Sequence, residues 1–285
     1  MIELSPKMDE HRIQLDGHVV HYTARGPADA PLTLVGANGL AGGGDSFWPL
    51  LGGVPAGVRV VLPDLPGCGD SEPLDEAHTI DGYTAWLQRF LDAVRVERVA
   101  LISVATGAPI TVRYAAQYPD RTAGLIFSLP FLGRIALPLW MRPVAAYALR
   151  VGPLRDLVDA IRQSDALMQR IITSEPPDAI PVLAARDIAH KQQASLRAAG
   201  ELLHDLMLMD SRREMRTLAT PMLYLAAEHD AFSPLSVLQG IVRQHPERRL
   251  WIKYGAGHSW NEAFIAAMQD ELRRFLTEIA PEGSA

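Results

Sequence analysis

Val99-Ala-Leu-Ile-Ser-Val-Ala-Thr-Gly107 is the stretch that decides the fold. Its apolar beginning, Val99 to Ile102, enters a turn of small residues, and a helical pattern follows from Pro109 to Gln117. A strand that feeds a helix through such a turn is the setting of the G-x-S-x-G nucleophile elbow, where a strained turn lifts a serine hydroxyl toward a substrate. Here the five positions read Ser103-Val104-Ala105-Thr106-Gly107, so a methyl group stands at Ala105 where the hydroxyl belongs. Shifting the register to Ser103 would put Leu101 at a flank where strand and helix backbones crowd, and would pull the turn back into the strand. With Ala105 at the tip the flanks are Ser103 and Gly107, both small. Any strand-turn-helix with small residues offers the same local pattern, so the rest of the chain must decide.

Working outward, an alternation of short apolar runs and helical patterns surrounds this turn. On the N-terminal side, Arg12–Leu15 and His18–Thr23 flank Asp16-Gly17, a strong hairpin signal. Leu32–Gly36 and Val58–Leu62 suit buried strands, as does Val99–Ile102, and Ile80 to Val94 carries apolar residues at helical spacing. Gly124–Ser128 is a further apolar run. Beyond Leu129-Pro130 the rhythm breaks, and to about Met215 only proline-interrupted helical patterns occur. It resumes with Pro221–Ala226, a helix from Leu235 to Gln244, Arg249–Tyr254, and an amphipathic helix from Asn261 to Ile279. Strands alternating with helices predict an α/β fold: a mostly parallel central sheet with helices on both faces. An all-helical insertion of roughly 85 residues interrupts it. The expected division is a core of residues 1–129 and 216–285, with a helical cap over 130–215. The cap is rich in large apolar side chains, Trp140 and Met141 among them.

Composition excludes several classes. At 285 residues, with 48% hydrophobic and 21% charged residues, the chain can bury a full core. A net charge of −6 advertises no basic face for nucleic acid or an anionic membrane. No run approaches the roughly 20 apolar residues of a membrane span. The N-terminus has early acids and no apolar heart, unlike a signal peptide, so a cytoplasmic protein is expected. The single Cys68 forms no internal disulfide, and the histidines His18, His21, His190, His204 and His245 show no metal-ligand spacing. No cofactor or metal is implied.

Chemistry-bearing residues sit at successive strand ends. Asp230 follows the run ending at Ala226, and His258 lies in the glycine-rich loop Gly255-Ala-Gly-His-Ser-Trp260 after the next run. Acyl transfer needs an imidazole within reach of the nucleophile and a carboxylate to orient it. Loops at the carboxyl ends of parallel strands converge on one crevice. A lone loop histidine or aspartate is usually solvated or capping; the order seat, acid, histidine at three strand ends argues otherwise. Before them, Gly36-Ala-Asn38-Gly39-Leu40-Ala-Gly-Gly-Gly44 lets backbone amides approach a ligand closely. A tetrahedral intermediate needs two such donors, and the amides of Leu40 and Thr106 are nominated. Neither phosphate-loop spacing is present.

Taken together these motifs resemble the α/β-hydrolase fold family, in the branch with a helical cap after the sixth strand. Asp64-Leu-Pro-Gly67-Cys-Gly69-Asp-Ser71 is similar to the D-x-P-G-x-G-x-S loop of that branch, and Asn38-Gly39 stands at its His-Gly position. No acid follows the Gly124–Ser128 run, so the alternative acid site of some relatives is empty and Asp230 remains. The resemblance implies a catalytic set of Ala105 (as the nucleophile position), Asp230 and His258, and an oxyanion hole at Leu40 and Thr106. Asn38, Gly39, Trp140, Met141 and Trp260 are expected to touch substrate. It implies a small hydrophobic acyl-type substrate, with a homodimer left open.

Ala105 allows two readings. In the first the chain is an Ala105 form of a serine hydrolase that acts on a hydrophobic ester, thioester or lactone, able to hold substrate but not to turn it over. In the second the alanine is natural. His258–Asp230 then serves non-covalent general-base or lyase chemistry, or the protein binds a ligand without catalysis. The first is preferred.

Overall fold

Asp16 and Gly17 take φ values of 54° and 87°, the left-handed pair that a two-residue hairpin turn demands. They join β1 (Asp9–Leu15) to β2 (His18–Arg25), with Leu15 opposite His18. In the computed structural model, the described residues are 4, 6–132, 152–172, 180–230, 233–245, 248–257 and 260–281. The sheet continues with β3 (Thr33–Ala37), β4 (Arg59–Pro63), β5 (Val99–Val104), β6 (Thr122–Ser128), β7 (Met222–Ala227) and β8 (Arg249–Lys253). The eight strands lie in the order β1-β2-β4-β3-β5-β6-β7-β8. Only the pairings of β1 with β2 and β2 with β4 are antiparallel; from β4 to β8 every pairing is parallel.

The inner parallel strands, β3 to β7, are buried on both faces, and their side chains alternate between two cores, whereas the edge strand β8 is only half-buried. On one face Val35, Val61, Leu101, Leu125 and Tyr224 pack under α1 (Ile80–Ala93), α2 (Ala108–Gln117) and α8 (Leu235–Arg243). On the other, Leu34, Val60, Leu62, Ile102, Ile126 and Leu225 pack against a 3₁₀ helix, Gly44–Gly53, and α9 (Glu262–Ile279). Helix α1 shows how the pattern works. Tyr83, Trp86, Leu87, Phe90 and Leu91 form its buried stripe, each worth about 1.5–3 kcal/mol of burial. Its first turn is capped by Thr79, whose hydroxyl accepts from the Gly82 amide at 3.0 Å.

Between β6 and β7 the described elements are all helices: α3 (Gly152–Gln163), α4 (Asp165–Ile172), α5 (Pro181–Gln193), α6 (Leu196–Leu208) and α7 (Arg212–Thr217). The expected return to the core at residue 216 falls inside α7, because Met215 is fully buried in the core of the first face. The 3₁₀ helix at Gly44–Gly53 was not legible in the sequence, since Gly42 and Gly43 precede it, Gly44 opens it and Pro49 lies within it. No described helix is long and apolar enough to cross a membrane.

Candidate active site

Strand β5 ends at Val104, and the chain turns into a one-turn 3₁₀ helix, Ala105–Gly107, that runs straight into α2. Ala105 has φ 44°, a left-handed conformation that costs a residue with a Cβ about 1–2 kcal/mol. The turn therefore has the left-handed tip residue expected of an elbow, and that residue carries a methyl group. Its small flanks have a direct cause: a Cβ at Gly107 would stand 2.1 Å from the Ala37 carbonyl oxygen and 2.8 Å from that of Asn38. Ser103 is fully buried, and its Oγ faces the Thr111 hydroxyl at 3.3 Å inside the core, so it offers nothing to a substrate. The Ala105 carbonyl accepts from the Phe131 amide at 2.9 Å, which lays the segment after β6 across the turn.

Strands β3 and β5 are neighbours, with Ala37 opposite Ser103, so the glycine-rich loop and the elbow leave the sheet side by side. A Cβ built on Gly39 would lie 3.5 Å from that of Ala105, so the glycine-rich loop passes close to the turn. The Thr106 amide opens a helix, where no backbone acceptor lies one turn earlier, and Thr106 Oγ1 is buried with no partner among the described residues. Asn38 is buried, and its carboxamide is spent within the loop region. Nδ2 donates to the carbonyls of Gly39 (3.0 Å) and Gly42 (2.8 Å), and Oδ1 accepts from the Leu65 amide at 3.2 Å. Any contact of Asn38 with a substrate is thereby left to its backbone.

Asp230 lies past the end of β7, 4% exposed, and its Oδ1 accepts from the Ser233 amide at 3.1 Å. The loop carrying it is bound to the one after β8: Glu228 N donates to Lys253 O at 2.9 Å and His229 N to Ala256 O at 2.8 Å. The acid is thus brought beside the segment that leads to position 258. His258, Trp140 and Met141 lie outside the described residues. Trp260 is half-buried and packs on the second core, where Val104 also packs.

The loop at Asp64 stands beneath the glycine-rich loop. Asp64 Oδ1 accepts from the Gly44 amide at 2.7 Å and Oδ2 from the Asp70 amide at 3.0 Å, and His21 Nδ1 lies 2.8 Å from Oδ2. That hydrogen bond is the main reason the His21 pKa is raised, against an opposing effect of burial. Cys68 in the same loop is buried, and burial pushes its thiol up to about 12 although Asn38 opposes the shift; it is no nucleophile. Sequence reading named Asp64 only as the start of the D-x-P-G-x-G-x-S loop, did not single out Asp45 or Arg186, and set His190 aside. Arg186 and His190 lie one helical turn apart, the one local hint, but their partner Asp45 is remote in sequence. Among the described residues no cluster of His, Cys, Asp and Glu could hold a metal ion.

Comparison with known proteins follows the same lines. A family described as the alpha/beta hydrolase fold matches residues 33–262. RutD of Variovorax paradoxus (strain S110), named as a carbamate hydrolase, is 26% identical, covering 93% of this chain and 98% of its own. The 2-hydroxy-6-oxo-6-phenylhexa-2,4-dienoate hydrolase of Comamonas testosteroni is 30% identical, but the match covers only 41% of each protein. Among solved structures, the enol-lactonase of Burkholderia xenovorans LB400 superposes with a TM-score of 0.75 at 20% identity, covering 94% of this chain and 100% of that one.

Proposed function

The chain belongs to the α/β-hydrolase fold family, and from that premise we propose that its site is built for acyl transfer from a small hydrophobic ester, thioester or lactone to water. The observation that carries this reading is Ala105 at φ 44°: the turn keeps the costly geometry of a nucleophile seat, with a methyl group where the hydroxyl would be. With serine at 105, that oxygen attacks the carbonyl carbon while His258 takes its proton. Asp230 orients His258, and the amides of Leu40 and Thr106 receive the developing oxyanion. His258 passes that proton to the departing oxygen or sulfur as the tetrahedral intermediate collapses to the acyl-enzyme. It then takes a proton from the attacking water and returns it to the serine oxygen as the acid leaves. The inserted helices act as a cap, excluding water and shaping the acyl pocket. As the chain stands the covalent route is closed, and what remains is binding and oxyanion stabilisation, worth ~10³-fold over water in triads stripped of a member.

Intact-mass measurement after treatment with a fluorophosphonate tests this. Only the Ala105→Ser protein is expected to gain the phosphonyl mass. If neither protein gains it, the hydrolytic reading fails. A second reading, in which the alanine is native and His258–Asp230 drives water or lyase chemistry without a covalent intermediate, then takes its place.

A further inference from the structure

Helix α5 reaches over the glycine-rich loop and grips it at Asp45. Arg186 Nε lies 3.3 Å from Asp45 Oδ2, and His190 Nε2 lies 2.9 Å from Oδ1. Arg186 also donates to the Asp45 carbonyl at 3.4 Å and stacks its guanidinium 4.9 Å above the Trp48 ring. Ile180 and Leu183, at the start of the same helix, pack on the core beneath. The fit against the loop is close, since a Cβ at Gly43 would stand 2.6 Å from His190 Nε2. From Asp45 the contacts run inward without a gap. Asp64 holds the Gly44 amide from below, the Gly42 amide donates to Gly39 O at 3.0 Å, and Gly39 lies against Ala105. Three consecutive glycines have more backbone freedom to lose than any other triplet, whereas an oxyanion donor must be held to a fraction of an ångström. Something outside the loop has to fix it.

We propose that Asp45, clamped by Arg186 and His190, is a positioning residue of the glycine-rich loop, so that the Leu40 amide is set in place only while α5 is seated. This rests on reading that loop as the oxyanion site; the clamp itself can be measured without any activity.

Hydrogen exchange of the segment 38–47 in the chain as it stands is the first test. His190→Leu and Asp45→Asn are expected to raise exchange there severalfold, roughly the scale of one lost ion-pair contact. Segment 99–104 keeps its protection. His190→Gln, which keeps a polar group facing Asp45, stays near the parent. In an Ala105→Ser background the two disruptive changes slow phosphonylation at saturating reagent while leaving the half-saturating concentration unchanged. Unchanged exchange over 38–47 in both variants, or an equal rise over 99–104, overturns the clamp. An Ala105→Ser protein that never reacts would sink the hydrolytic reading alone, because the exchange result stands apart from it.

Discussion

At the scale of single residues the site is governed by close approach. Gly107 is glycine because two backbone carbonyls occupy the space of a side chain, and Ser103 is small because it packs between β5, β6 and α2. Gly107→Ala is therefore expected to destabilise the protein by about 2–3 kcal/mol, as overpacking against immovable backbone does, which urea denaturation would measure. This part was legible: strand, small-residue turn and helix specify the elbow within nine residues, and the identity of the tip follows from its flanks. The partners of Asp45 and Asp64 were not legible. Asp45 meets Arg186 and His190, and Asp64 meets His21, across separations that no local pattern encodes. Asp45 reads in the sequence as an ordinary loop carboxylate and Asp64 as the first residue of the D-x-P-G-x-G-x-S loop; for both, only tertiary packing decides what faces them.

At the scale of elements, the inserted helices are joined to the core by polar contacts as well as apolar ones. Helix α6 meets the loop before α1. His78 is fully buried, with Nε2 accepting from the Leu74 amide (3.0 Å) and Nδ1 lying 2.9 Å from Glu201 Oε2. Asp205 caps the Ile80 amide at 2.7 Å, and Arg197 donates to the carbonyls of Leu74, Asp75 and Glu76. Helix α1 thus receives a cap from within and another from the insert. Burial alone would raise the Glu201 carboxyl, but donation from the His78 amide and ring and from Arg197 outweighs it and holds the group at about 2. Its stabilisation is therefore complete above its ordinary value of 4.5 and is lost as pH falls from there toward 2. His78 is lowered from its ordinary 6.5 chiefly by burial, so it must be neutral in the fold, and stability drops as pH falls below that value. The two signs agree. Melting temperatures are expected to fall from pH 4.5 to pH 3.5, below the range in which the raised His21 acts with the opposite sign, and Glu201→Gln to cost about 1–3 kcal/mol at pH 7 while flattening that part of the profile. Hydrophobic period predicted that the insert is helical, and its described part is; which helix would meet which loop was beyond that signal, because the contacts are made by polar residues on faces that the period reads only as solvent-exposed.

At the scale of the whole molecule, two cores flank one sheet, and the sole thiol belongs to the first of them. A buried thiol held near 12 presents almost no thiolate at neutral pH. Native protein is expected to react with a disulfide reagent no faster than it unfolds, and to release one equivalent of thiol promptly in denaturant; rapid labelling of the native state would show that the loop at Asp64 opens on its own. The alternation of runs was enough to predict an α/β architecture with helices on both faces, but the strand order, with β4 placed between β2 and β3, came only from the structure. That order bears on how the protein is made. β6 and β7 pair side by side, yet residues 129–221 separate them along the chain. As the polypeptide leaves the ribosome, β6 has an open edge until the whole insert has been synthesised, and open edges invite mispairing. The anchors described for α5 and α6, namely Asp45, Trp48, His78 and the Ile80 amide, all belong to the first 80 residues. The inserted helices can therefore be laid on the nascent first half before the strand that precedes Asp230 has been translated.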